Sequence, residues 1–249
     1  MTVEVGILCK GGVVIAADSA ATFGSPNLKI MEQPTRKISI VANKVIVAGT
    51  GAVGLCQRLH AIIENLFANP GFDVVSPLEK GKLIARAAIQ DFASTHAPFQ
   101  GQFAALVAFA HEGVPCLIEF CIPDFQPELK RPDEIWYVSV GSGELIADPM
   151  LAWMREVFWT DGPPVLQSGI FAASWVMDHV VKINAGGVNG PIDIAVLEFK
   201  DGEFRARMLT PDELDEHKGN VQAAREHMRR FEEILLGKGG NVPDVPKLN

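Results

Sequence analysis

The sequence predicts an α+β fold, antiparallel sheets covered by helices, from three observations. Short β-rich runs come in pairs joined by turn residues. Amphipathic helical stretches separate the strand groups. The element order runs strands, two helices, strands, two helices, strands, and hairpin connections give antiparallel sheets with helices on their outer faces.

Val3 to Cys9 and Val13 to Ala17 are joined by Lys10-Gly11-Gly12, a hairpin signal. Lys37 to Val41 and Val45 to Ala48 repeat the pattern around Asn43-Lys44. Val53 to Ala68 sets Leu55, Leu59, Ile62, Ile63 and Leu66 on one helical stripe. Pro77 to Ser94 opens with Ser76 as N-cap and Pro77 at the first helical position. The next strands are Gln102 to Ala110, Cys116 to Cys121 and Trp136 to Val140, with a turn over His111 to Pro115. Helices are expected at Asp148 to Phe158 and Ile170 to Ile183. A last hairpin joins Ile192 to Phe199 with Phe204 to Met208 through Lys200-Asp201-Gly202. From Thr210 the composition changes. The expected division is a core domain over 1–209 and a C-terminal part over 210–249, a charged helix from Pro211 to Leu236 and a tail.

With 249 residues, 48% of them hydrophobic, the chain can bury a sizeable core and is not a disordered polymer. The longest apolar run, Phe103 to Ala110, is too short to span a bilayer. Met1-Thr2-Val3-Glu4 has no basic region ahead of an apolar stretch, which argues against a signal peptide and leaves the cytoplasm as the expected compartment. The net charge of −8 carries no block of like charges, so neither nucleic acid nor membrane is an expected partner. Cys9, Cys56, Cys116 and Cys121 form no Cys-x-x-Cys pair and have no His at ligand spacing, so they read as free thiols, with no metal expected.

Five features could carry chemistry. Gly49-Thr50-Gly51-Ala52-Val53-Gly54 matches the dinucleotide fingerprint and lies between a strand and a helix. However, its strand sits in a hairpin, the next candidate strand is only Phe72-Asp73-Val74-Val75, and Ser76 stands where an acid should hold the ribose. A tight strand-to-helix turn and no cofactor is the preferred reading. Thr2 heads an alternating strand, and its small side chain should let Met1 be removed. A free N-terminal Thr carries a hydroxyl nucleophile and an α-amino base of pKa roughly 7.7–8.0 on one residue. Taken alone, many chains begin Met-Thr. Asp18 ends an apolar strand and Lys37 begins another; a turn former and a solvated lysine are the ordinary readings. Ser142, in Gly141-Ser142-Gly143, can equally be a turn residue.

Together these pieces resemble the proteasome β-subunit family. Thr2, Gly6 and Gly11-Gly12-Val13-Val14-Ile15-Ala16-Ala17-Asp18-Ser19 are similar to the start of a mature β subunit. Arg36-Lys37-Ile38, Ala48-Gly49 and Gly141-Ser142-Gly143 fall where that family has its lysine strand, glycine turn and serine turn. A leader of Met1 alone is similar to the bacterial relatives, the heat-shock ring protease and the proteobacterial proteasome homologues. The resemblance implies a four-layer αββα sandwich and threonine peptidase chemistry. Thr2 would attack the carbonyl with its own α-amine as base. Asp18 and Lys37 would form a charge pair that orients Thr2 and favours its deprotonated form. The Gly49 N–H would face the oxyanion, and Ser142 would bond near the amine. The partners implied are a peptide or unfolded-protein substrate and identical subunits in a ring, with any ATPase unidentified. The chain departs from the family in one place. From Lys182 to Pro191 it lacks the family's late Asp and Ser, and only Asn184 or Asn189 could supply a hydrogen bond there. The rival readings are a catalytically silent ring scaffold and, through the Gly49 to Gly54 turn, an oxidoreductase.

Overall fold

The structure, a computed structural model, describes residues 2–25, 28–95, 103–183 and 188–238. Strands β1 (Val3–Cys9) and β2 (Gly12–Asp18) form the first hairpin, with Glu4 opposite Ala17 and Cys9 opposite Gly12. Every residue of both strands is buried. Their near-continuous apolar sequences fit a sheet covered on both faces, where alternation with polar residues is lost. β10 (Tyr137–Gly141) pairs with the outer edge of β1, while β11 (Ile192–Lys200) and β12 (Glu203–Met208) extend the sheet beyond β2. The order is β10-β1-β2-β11-β12.

The second sheet has the order β5-β6-β7-β8-β9, built from β5 (Ile38–Val41), β6 (Val45–Gly49), β7 (Ala105–His111), β8 (Val114–Phe120) and β9 (Pro127–Leu129). Both sheets are antiparallel throughout. Helices α1 (Val53–Phe67) and α3 (Pro77–Ser94) cover the second sheet, and α4 (Glu144–Phe158) and α5 (Leu166–Ile183) cover the first. The result is the four-layer αββα sandwich that the resemblance implies. One apolar cluster joins the first sheet to α4, α5 and the facing side of the second sheet. Another fills the space between the second sheet and α1 and α3.

Several local features differ from the sequence reading. A separate hairpin, β3 (Ala20–Ser25) with β4 (Leu28–Pro34), fills a stretch to which the sequence reading assigned no element, and its pairing shifts register between Phe23 and Gly24. The short edge strand β9 was likewise not foreseen. Phe72 and Asp73 lie in the helical turn α2 (Pro70–Asp73) rather than in a strand. Ser76 stands at the N-cap of α3, but its side chain makes no capping bond. Helix α4 begins at Glu144, one turn before the expected start at Asp148. Asp148 instead accepts bonds from the Ser139 N–H (3.1 Å) and hydroxyl (2.6 Å), tying α4 to β10. Helix α5 begins at Leu166, and β7 begins at Ala105; Gln102, the expected start of that strand, lies outside the described residues.

Helix α6 (Pro211–Leu235) follows β12 and lies against α5. Thr210 caps it in a reciprocal box with Glu213. Asp178 of α5 accepts from Arg225 and stands 2.9 Å from Lys182. All four cysteines are free thiols.

Candidate active site

The first residue of the described chain, Thr2, lies at the open end of the first sheet, where β1, β2 and β10 converge. It is 9% exposed. Ser142 engages it twice. Its hydroxyl lies 3.2 Å from the Thr2 nitrogen and 3.3 Å from the Thr2 carbonyl oxygen. With Met1 attached, that nitrogen is a peptide N–H occupying the position of the α-amine that Met1 removal would free. The Gly143 N–H also donates to the Thr2 carbonyl, at 3.3 Å. The two glycines flanking Ser142 are required here. Gly141 has φ +100°, and a Cβ built on it would lie 2.3 Å from the Thr2 carbonyl oxygen. One on Gly143 would lie 2.7 Å from the Cβ of Val3. Any side chain at either position would push the serine turn off Thr2.

Asp18, at the end of β2, is fully buried. Its Oδ1 accepts from the Val3 N–H at 2.9 Å and from the Lys37 ammonium at 2.7 Å. The Lys37 side chain is 8% exposed, so this is a buried ion pair rather than a surface one. Its partner carboxylate is fixed by the peptide bond directly after Thr2. The ordinary reading of a strand-start lysine as a solvated residue does not hold for Lys37, which pairs with Asp18.

Gly49 ends β6, which pairs with β5 so that Ile38 faces Ala48. Continuing that register sets Lys37 beside Gly49. A Cβ built on Gly141 would also meet the methyl of the next residue, Thr50, at 3.3 Å, and the Thr50 N–H donates to the Ala104 carbonyl at 2.9 Å. Ser142 is thus bonded to Thr2, Lys37 to Asp18, and the Val3 N–H links the second pair to the backbone directly after Thr2. The fingerprint Gly49 to Gly54 does not open a βαβ unit. Both neighbours of β6 are antiparallel, and α2 follows α1.

Two acids near this site were missed. Glu4 lies on β1, is fully buried, and neither carboxylate oxygen has a hydrogen-bond partner among the described residues. Burial drives its carboxyl well above the ordinary carboxylate range; Lys37 opposes the shift and Asp18 adds to it. The available signal was a single charge in a strand otherwise apolar on both faces. Asp193 of β11 accepts from the Ser19 hydroxyl at 2.7 Å. It lies just beyond the stretch where the family's late Asp and Ser were sought, and Asn184 lies outside the described residues. Among the described residues, Glu119, Cys121 and Glu128 come close enough together to ligate a metal, but Lys130 lies 2.7 Å from Glu119 and 2.6 Å from Glu128 and already supplies the cation.

The sequence model of the family described as "Proteasome subunit" matches residues 2–110, a stretch that includes Thr2, Asp18, Lys37 and Gly49. The likeness in fold extends over nearly the full length of the chain. The ancestral β-subunit Anbu from Yersinia bercovieri superposes with a TM-score of 0.69 at 15% identity, covering 97% of this chain and 99% of that one. A Gly-1 mutant of Anbu from Hyphomicrobium sp. strain MC1 gives 0.68 at 15% identity, covering 98% and 100%. The chain shares the fold of these Anbu β-subunits. A curated relative, the proteasome subunit beta of Archaeoglobus profundus, is 39% identical over 62 residues, and the match spans 25% of this chain and 27% of the relative. The proteasome β-like resemblance in sequence is thus concentrated in the first half of the chain, and at 15% identity the likeness to the solved structures is one of fold.

Proposed function

We propose that this chain is a threonine-type amide hydrolase that cleaves peptide bonds with Thr2 after removal of Met1. The observation that carries the reading is the buried Lys37–Asp18 pair, 2.7 Å apart and bonded to the peptide N–H directly after Thr2. A buried ion pair is a poor source of stability, since its desolvation cost offsets its attraction. Its value is local. The Lys37 charge favours loss of the Thr2 hydroxyl proton, and Asp18 fixes that charge against β1.

In the proposed reaction the Thr2 hydroxyl oxygen attacks the scissile carbonyl carbon as its proton passes to the α-amine. The carbonyl oxygen becomes an oxyanion facing the Gly49 N–H, a contact worth roughly 3 kcal/mol in comparable sites. Collapse breaks the C–N bond, and the ammonium returns its proton to the departing amine. Water, activated by the same α-amine, then hydrolyses the Thr2 ester and restores the hydroxyl. Ser142 holds the amine in register throughout. The test is intact-mass and N-terminal analysis beside a peptidase assay. Active protein lacks Met1, and Thr2→Ala abolishes turnover; an active preparation that fully retains Met1 refutes the mechanism.

The same reading includes assembly into a homo-oligomeric ring that encloses the sites, with peptides or unfolded proteins as substrates. Helix α4 supports it with an exposed apolar surface. Leu145 is 83% exposed, and Trp153, Val157 and Phe158 are also exposed, beside Phe171 and Trp175 of α5. Such aromatic surfaces are enriched at interfaces. Identical subunits meeting through unlike surfaces close into rings or grow into filaments. Light scattering at micromolar concentration tests this: a stable single-chain mass with full peptidase activity excludes the ring.

A further inference from the structure

We propose that Glu4 is a positioning residue of the Thr2 site, a third member of the Lys37–Asp18 cluster that must be uncharged for Thr2 to act. The inference rests on the Thr2 reading above. Strand alternation puts Thr2, Glu4 and Gly6 on one face of β1. A Cβ at Gly6 would meet Leu106 and Leu117 of the second sheet at 3.2 and 3.1 Å, so this face looks into the space between the sheets. Glu4 therefore lies behind Thr2 in the sandwich interior. Its strand neighbours there, Val140 and Ala17, offer no charge.

The titratable groups around Glu4 come from three elements. Asp18 belongs to β2, Lys37 precedes β5, and Cys56 lies in the first turn of α1. The Cys56 thiol is pushed up to about 12, first by burial and then by Glu4, and its Sγ donates to the Gly49 carbonyl at 3.2 Å. Glu4 thus acts electrostatically on both the lysine and the turn beside the oxyanion position. With Glu4 protonated, Lys37 and Asp18 balance and the cluster is neutral. With Glu4 ionised, the cluster carries a net negative charge next to the Thr2 hydroxyl. A buried negative charge disfavours a second one nearby, so it opposes both alkoxide and oxyanion. An ionised carboxylate with no hydrogen-bond partner is also the costly form in this interior, which keeps the proton on Glu4 in the resting fold.

The experiment is Glu4→Gln in the full chain with Met1 removed, assayed as a pH profile of kcat and as thermal unfolding against pH. The amide preserves shape and cannot ionise. The alkaline fall of kcat is expected to move to higher pH, so that on the alkaline limb of the wild-type profile the ratio of variant to wild-type kcat rises at least fivefold over its neutral value. A folded carboxyl held above its unfolded value adds stability at low pH, and that stability is lost as pH rises through the folded value. Wild type should therefore lose stability relative to Glu4→Gln as pH rises above about 4.3, whether or not the protein turns over substrate. An active wild type with an unchanged profile in the variant overturns the proposal and leaves the Thr2 reading intact. So does a hundredfold loss at neutral pH, which would make Glu4 a proton acceptor. A wild type without peptidase activity overturns the Thr2 reading and with it the catalytic part of the proposal. A stability slope that still differs in that case assigns Glu4 to the fold alone.

Discussion

The Ser142 hydroxyl contacts Thr2 on both sides of its Cα, 3.2 Å from the nitrogen and 3.3 Å from the carbonyl oxygen, across 140 residues of sequence. One side chain thereby sets both the position and the rotation of the first described residue. Removing the hydroxyl leaves β1 paired to β10 and β2, so the fold should persist while Thr2 gains freedom. Ser142→Ala is expected to lower kcat about tenfold, equivalent to about 1.4 kcal/mol, with a small change in unfolding temperature. Steady-state kinetics beside calorimetry would check this; an unchanged kcat would show that Ser142 does not position the amine.

Lys37→Ala and Asp18→Ala should differ from Ser142→Ala in damaging both activity and stability. Each breaks the buried pair on one side, a loss of about 3–5 kcal/mol. Lys37→Met should recover part of the stability by filling the space with an apolar chain, without recovering turnover. The decisive measurement is peptidase activity in variants that retain a cooperative unfolding transition. Lys37→Ala at the wild-type rate would remove that lysine from the mechanism.

Gly141→Ala is a sharper structural test. The new Cβ would be 2.3 Å from a backbone oxygen, not from the end of a flexible side chain, and φ is +100°. The turn must move, at about 1–3 kcal/mol for the strained backbone alone. Activity should fall more than in Ser142→Ala, since Ser142 and the Thr2 carbonyl are both displaced. Equal losses in the two variants would mean that the turn adjusts without disturbing Thr2.

These residues differ in how legible they were. The first hairpin was readable because Gly11-Gly12 is turn chemistry between apolar runs, and β1, β2 and β11 followed from composition. Asp18 and Lys37 stood out only through the family pattern, because a strand-end carboxylate and a strand-start lysine are ordinarily solvated. The structure shows why that ordinary reading fails. Residues distant in sequence bury both groups and pair them with each other. Glu4 was passed over for the same reason, since its burial depends on a second sheet whose central strands begin only at Val45, Ala105 and Val114. The β3–β4 hairpin lacks an alternating apolar pattern, and its pairing shifts at Phe23 and Gly24, so periodicity had nothing to register. The start of α4 was misplaced because Asp148-Pro149 has the chemistry of a helix start, while Asp148 is used to hold β10.

Helix α6 offers a prediction independent of catalysis. Arg207 of β12 reaches Glu213 through two nitrogens, each 2.9 Å from a carboxylate oxygen, and the Thr210 N–H donates to Glu213 at 2.7 Å. The Arg207 bond is the largest cause that lowers the Glu213 carboxyl to about 2; burial, the next largest effect, opposes it, and the Thr210 bonds add to the lowering. The sign follows from linkage. A folded carboxyl below its unfolded value of about 4.3 adds stability that is fully present above that value. This stability is lost as pH falls towards about 2. The side chains are 40% and 35% exposed, so salt and water screen the pair and the effect should be modest. Glu213→Gln should flatten this part of the acid limb of the unfolding midpoint, and added salt should reduce the difference from wild type. Thr210→Ala should instead cost about 1 kcal/mol at neutral pH through the lost cap. If α6 is anchored to the sheet by this contact, both variants should increase hydrogen exchange in the first turns of α6 while leaving β1 and β2 protected. Equal exchange gains in β1 would show that the loss spreads through the whole fold rather than releasing the helix start.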